Sequence, residues 1–160
     1  MKKNSLIIIS LLLISIFLIS ACSPNNSKYF DNEGNGEFSD TKISAYKSRY
    51  CGCCVGYVAE LEKYSFDIET IEMEDLTSIK NQHNIPQSLQ SCHTSVVGEY
   101  FIEGHVPIEA VRKLLEEKPD IDGIGLAGMP SGTPGMPGAK REAWHIYALK
   151  DGIQSEFMTI

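Results

Sequence analysis

Positive charge is scarce in this 160-residue chain: fourteen Lys and Arg face twenty-one Asp and Glu, a formal charge of −7. That balance argues against nucleic acid as a partner, because a phosphate backbone needs neutralising cations. An apolar run of spanning length is missing too. Leu6 to Ile19 is interrupted only by Ser10 and Ser15, yet a membrane-crossing helix wants about 20 residues. Apolar residues are also few between Ser23 and Ser39, where Pro, Asn, Gly, Ser, Asp and Glu prevail. Such a segment reads as a flexible tether rather than part of a packed core.

What stands at the start instead is an export pattern. Met1-Lys2-Lys3-Asn4 is a basic head, the apolar stretch follows, and small residues lead up to a cysteine. Ile19-Ser20-Ala21-Cys22 resembles the lipobox cut by lipoprotein signal peptidase. The resemblance implies that Cys22 becomes the first residue and carries lipid, and several acyl chains anchor stably where one does not. An uncleaved single-span anchor and an ordinary cleaved signal peptide are the alternatives. The expected layout is residues 1–21 as lipoprotein signal peptide, 22–40 as tether and 41–160 as the folded domain. Cleavage removes Lys2 and Lys3 and leaves a formal charge of −9, from twelve basic and twenty-one acidic residues. The expected location is a bacterial membrane, with the domain facing the periplasm or the exterior.

Within the domain, Lys42–Tyr46 suggests a first strand. Val55–Tyr64 suggests a helix with Val55, Val58, Ala59 and Leu61 as its apolar stripe. Phe66–Met73 reads as a strand and Leu76–His83 as a short helix, with Asp75 or Thr77 as cap. Ser95–Val97 and Tyr100–Ile102 form an expected hairpin around Gly98-Glu99. Pro107 opens an amphipathic helix to Glu117. Gly123–Gly138, rich in Gly and Pro, is expected to be irregular, and Asp151-Gly152 turns a last hairpin between Trp144–Leu149 and Gln154–Met158. This order gives an α/β domain built on a mixed sheet with packed helices; a looser α+β sandwich is the alternative.

Chemistry concentrates in the cysteines. With Cys22 lipidated, Cys51, Cys53, Cys54 and Cys92 remain. Cys51 and Cys54 have the C-x-x-C spacing of a redox pair, placed between a strand and a helix. Free N–H groups and the helix dipole stabilise thiolates there, and thiolate serves both as nucleophile and as metal ligand. Neither an aromatic residue nor a proline separates the pair; Gly52 and Cys53 do. The third thiol favours a soft metal such as Cu(I), with zinc at the same ligands and thiol exchange or structural disulfides as the other readings. Cys92-His93 adds a thiolate and an imidazole, and His105 is a further candidate ligand or orienting group. Gly128-Met129-Pro130 and Gly135-Met136-Pro137 repeat a soft-donor pattern that could fold over the cluster. His83 and His145 read as structural or exposed, and Met73 and Met158 as core.

Several of these pieces together resemble bacterial metal-binding proteins of domain-of-unknown-function family 411 (DUF411), which are linked to copper resistance. They are Cys51-Gly52-Cys53-Cys54, Ser91-Cys92-His93-Thr94, Ile102-Glu103-Gly104-His105-Val106-Pro107, and Gly128-Met129-Pro130 with Gly132, Pro134, Gly135 and Met136. The resemblance implies a thioredoxin-like core, a place in the cell envelope and a metal-binding role. It carries over Cys51, Cys53, Cys54, Cys92 and His93 as candidates, with His105, Met129 and Met136 as further motif positions. It does not by itself establish an enzyme activity. The lipobox-like start replaces the ordinary signal region of soluble members.

Overall fold

A computed structural model describes residues 36–160; the signal, Cys22 and most of the tether lie outside the described residues. Seven strands form one mixed sheet in the order β2-β1-β3-β4-β5-β6-β7. They are β1 (Lys42–Ser48), β2 (Asp67–Met73), β3 (His93–Val97), β4 (Tyr100–Glu103), β5 (Gly123–Gly125), β6 (His145–Lys150) and β7 (Ile153–Thr159). Among the described residues three helices accompany them: α1 (Gly52–Glu62), α2 (Thr77–Gln82) and α3 (Ile108–Glu117). β1 pairs with β2 in parallel and with β3 antiparallel, and β3 and β4 form a hairpin. This is the thioredoxin-like mixed sheet with flanking helices and a C-terminal hairpin that the sequence suggests.

Strand alternation divides the sheet into two faces. Ile43, Val97, Ile102, Ile124 and Ile146 join Tyr57 and Leu61 of α1 and Val111 and Leu114 of α3 in the main core. Phe101 and Leu149 instead pack with Ile85 and Leu89 in a smaller cluster. Each aliphatic side chain so buried contributes about 1.5–3 kcal/mol. α3 has the clearest sequence cause. Ile108, Val111 and Leu114 recur at helical spacing and are buried, and Glu109 lies in the first turn, where the helix dipole favours an acid. Pro107 is the residue just before the helix, and Lys118 closes it in the left-handed conformation ahead of Pro119.

Three expectations need correction. α1 begins at Gly52, three residues before the expected start, so Cys53 and Cys54 sit in its first turn. Its buried stripe is Cys54, Tyr57 and Leu61, while Val55 is 54% exposed; at about 3.6 residues per turn Val55 falls outside the face that Cys54 and Leu61 share. Gly123–Gly125 is a strand, not irregular chain, because β4 and β6 supply its backbone partners on both sides. Three residues with two glycines carry almost no strand propensity of their own.

Further along the Gly/Pro loop, Gly135 lies against the start of α1. Gly135 has φ +79°, and a Cβ there would meet the Tyr57 nitrogen at 2.4 Å and the Cys53 carbonyl oxygen at 2.6 Å. Gly135→Ala is therefore expected to lower stability by about 1–3 kcal/mol through backbone strain and the clash. Urea unfolding of the variant checks this; an unchanged midpoint would contradict the packing described.

Candidate metal centre

The centre is built where β1 ends, α1 begins and β3 starts. Cys51 precedes α1 in extended conformation, with φ −83° and ψ 93°. From there the first turn of the helix folds Cys53 and Cys54 back towards Cys92. Cys51 and Cys54 are joined in a disulfide, and Cys53 and Cys92 are free thiols. Cys53 Sγ lies 3.4 Å from Cys51 Sγ and 3.9 Å from Cys92 Sγ, and Cys54 Sγ lies 3.4 Å from Cys92 Sγ. All four sulfurs fall within 4.8 Å of one another.

Cys92 also belongs to a second donor group. His93 Nδ1 is 3.3 Å and His105 Nε2 is 3.1 Å from its sulfur, again with all donors inside 4.8 Å. The tautomer of His105 follows from its other contact. Its Nδ1 stands 2.7 Å from the Pro134 carbonyl, which can only accept, so Nδ1 carries the proton and Nε2 offers its lone pair to the Cys92 side. The His93 and His105 rings are edge-on at 4.9 Å, and Tyr57 lies 4.5 Å from His93. The Tyr57 hydroxyl donates to the Val106 carbonyl at 3.1 Å, which fixes the ring beneath both imidazoles.

Burial sets the charge states. His93 is 2% exposed, and burial above all, then the neighbouring His105 and Lys80, pushes its pKa down to about 3. Burial also lowers His105, partly offset by the Pro134 bond. Both imidazoles are neutral at pH 7, the form in which histidine binds metals. The Cys92 thiol is pushed up to about 12, first by burial and then by Cys53.

One consequence concerns the metal-free protein. Unfolded His93 has a pKa near 6.5, so below that pH the unfolded chain takes up a proton that the folded chain refuses. The stability that a neutral His93 allows is complete above about pH 6.5 and is lost as pH falls towards about 3. The expected slope is about 1.4 kcal/mol per pH unit across that window. Denaturant unfolding of metal-free protein between pH 4 and 7 measures it; His93→Gln should flatten the curve, and an equal slope in parent and variant would contradict it.

The donor set suits a soft metal. Four sulfurs form one group and Cys92 with two neutral imidazoles a second, and His93 Nε2 is buried without a hydrogen-bond partner. Cys51, Cys53, Cys54, Cys92, His93 and His105 all meet here. The two methionines belong to the Gly/Pro loop. Met129 is 51% exposed, next to Gly128, whose carbonyl accepts from the Ser91 hydroxyl at 2.5 Å. Met136 is half-buried and lines a pocket with Glu60, Tyr64, Pro107 and Trp144. His83 packs near Phe101, and exposed His145 pairs with the Thr159 hydroxyl.

Sequence reasoning passed over the groups behind the ligands. Glu103 is completely buried and Lys80 is 6% exposed, and they form an ion pair at 2.5 Å. A lone acid closing the apolar strand Tyr100-Phe101-Ile102 was the available signal.

The family model described as "Protein of unknown function, DUF411" matches residues 89–136, which include Cys92, His93, His105 and the methionine loop. No curated protein matches the chain. Two solved structures named copper resistance protein CopG are similar to it at 33% identity. Form 2 has a TM-score of 0.70, with 75% of this chain and 98% of that chain covered. Form 1 has a TM-score of 0.69, with 74% and 96% covered. This chain belongs to the copper-resistance-associated DUF411 family.

Proposed function

We propose that this protein binds Cu(I) at the cell envelope for sequestration, transfer or metal resistance. Cys51, Cys53, Cys54 and Cys92 are the thiolate donors in this reading, and His93 and His105 complete or orient the site. The observation that carries it is a cluster of four sulfurs that shares Cys92 with a second donor group, completed by two neutral imidazoles. Thiolates favour Cu(I), and zinc accepts the same ligands. The likeness to structures named for copper resistance favours copper. When bound, the ion supplies a soft Lewis-acidic centre; the chain's own part is to hold its sulfur donors close together and its two imidazoles neutral. Met129 is accessible enough to serve as an entry donor, and Met136 is placed to brace the loop.

The lipid anchor at Cys22 belongs to the same proposal. It would keep the domain on a membrane, through the tether, within reach of a metal-transport or metal-resistance protein. Labelling with a fatty-acid analogue, lost in Cys22→Ser, tests that part.

The test of the copper reading is stoichiometric Cu(I) binding by the reduced protein under anaerobic conditions. Cys51→Ser/Cys53→Ser/Cys54→Ser should abolish it. A triple variant that binds as tightly as the parent would overturn the proposal.

The Cys51–Cys54 disulfide supports a second reading, a thiol-disulfide oxidoreductase. Cys92, 3.4 Å from Cys54, is then the resolving thiol. That reading requires a defined reduction potential and a trapped mixed disulfide in metal-free protein. A purely structural frame of two disulfides fits less well, since Cys53 and Cys92 are free.

A further inference from the structure

Glu103 and Lys80 are an expensive pair to keep. Both are almost wholly buried, on the sheet face opposite His93 and Tyr57, beside Thr94, which is itself fully buried. A buried ion pair is often no more stabilising than two apolar side chains of the same volume. Its retention therefore asks for another reason, and the bonds of the carboxylate supply one. Glu103 Oε1 accepts from the Ser91 backbone N–H at 2.6 Å and from Lys80 Nζ at 2.5 Å. Oε2 accepts from the Thr94 hydroxyl at 2.6 Å, and Lys80 also donates to the Thr94 oxygen at 3.1 Å. One carboxylate thus grips the residue before Cys92 and the residue after His93.

The backbone adds two constraints. Thr94 and Glu103 are cross-strand partners, and the Gly104 N–H donates to the His93 carbonyl at 3.0 Å. Gly104 has φ +75°, and a Cβ there would come within 2.6 Å of the Ser91 Cβ. The strand therefore lies flush against the Ser91 segment. These bonds lie on the far face of the sheet from Cys92, whose sulfur stands 3.4 and 3.9 Å from the α1 sulfurs of Cys54 and Cys53.

We propose that Glu103, held in place by Lys80, is a positioning residue: it clamps Ser91 and Thr94 so that Cys92 and His93 meet the Cys51–Cys54 turn as preformed ligands. This inference rests on the copper reading of the same site. Groups that orient metal ligands from behind typically change affinity by about 10–100-fold when lost.

Two charge-free double variants of the full-length protein separate positioning from simple stability. In Lys80→Met/Glu103→Gln the amide still accepts from Ser91 and donates to Thr94. In Lys80→Met/Glu103→Leu neither bond remains. Reduced, anaerobic Cu(I) titration should leave the glutamine variant at parental affinity and weaken the leucine variant by roughly 10–100-fold. X-ray absorption should then show the leucine variant with fewer sulfur or nitrogen neighbours. A folded leucine variant with parental affinity and neighbours would overturn the inference. If the leucine variant does not fold, Thr94→Val against Thr94→Ser carries the same comparison, with the loss expected for valine only and equal affinities overturning the clamp.

A metal-free readout keeps the two ideas apart. Alkylation of Cys92 in the reduced protein, followed by mass spectrometry, should accelerate several-fold in the leucine or valine variant and not in its partner. If the parent binds no Cu(I) but this difference appears, the copper reading fails and the clamp stands. If the alkylation rates are equal, the clamp fails.

Discussion

Oxidised protein, with Cys51 and Cys54 paired, is expected to bind Cu(I) more than about 100-fold more weakly than reduced protein. The bound is set by losing an orienting partner, which alone costs about 10–100-fold, whereas the disulfide removes two ligands outright. A disulfide sulfur is no longer a thiolate, and thiolate is the form that binds soft metals. Cys53 and Cys92 remain, 3.9 Å apart, with His93 and His105 beside them. That residue of the site is a mixed sulfur and nitrogen set, poorer in soft donors than the reduced bowl. Competition titration against a Cu(I) chelator, before and after reduction, measures the difference. Equal affinities in the two states would mean that Cys51 and Cys54 are not ligands.

Cys92→Ser is expected to weaken binding more than Cys53→Ser does. Cys92 is the one residue common to both donor groups, so its loss opens the sulfur bowl and also detaches the two imidazoles from it. The effect should again exceed roughly 100-fold, by the same comparison with orienting groups. A pH signature accompanies it. Burial, with Cys53 next to it, pushes the Cys92 thiol up to about 12, so the metal-free side chain is protonated at pH 7. Binding must displace that proton, and apparent affinity should rise about tenfold per pH unit for it. In Cys92→Ser the slope of affinity against pH should be shallower by one proton. Identical slopes in the two proteins would show that Cys92 does not give up a proton to the metal.

How much of this was legible in the residues depends on the range of the forces involved. α3 was readable because Ile108, Val111 and Leu114 repeat at helical spacing between two prolines. The last hairpin was readable because Asp151-Gly152 dictates the turn, with both residues at positive φ. The six Cys and His candidates were readable as chemistry, since their side chains have few other uses in such a pattern. β5 was not, because three residues with two glycines are held there only by neighbours distant in sequence. The start of α1 was misjudged for a related reason. Cysteine and glycine carry weak helical preference, and what draws Cys54 inward is the packing around it rather than its own propensity. The Lys80–Glu103 pair was invisible for a third reason. Lys80 belongs to a short helix that looks solvated, and only the fold brings it to the strand ending at Glu103. The pairing of Cys51 with Cys54, rather than another arrangement of the four thiols, is likewise a product of how the first turn of α1 folds back.

The most direct test of the central claim is X-ray absorption at the copper edge on the reduced, Cu(I)-loaded protein. The site described here predicts a sulfur-dominated shell, with any nitrogen contribution removed by replacing His93 and His105. A shell of nitrogen and oxygen neighbours, unchanged when Cys51, Cys53 and Cys54 become serine, would contradict it.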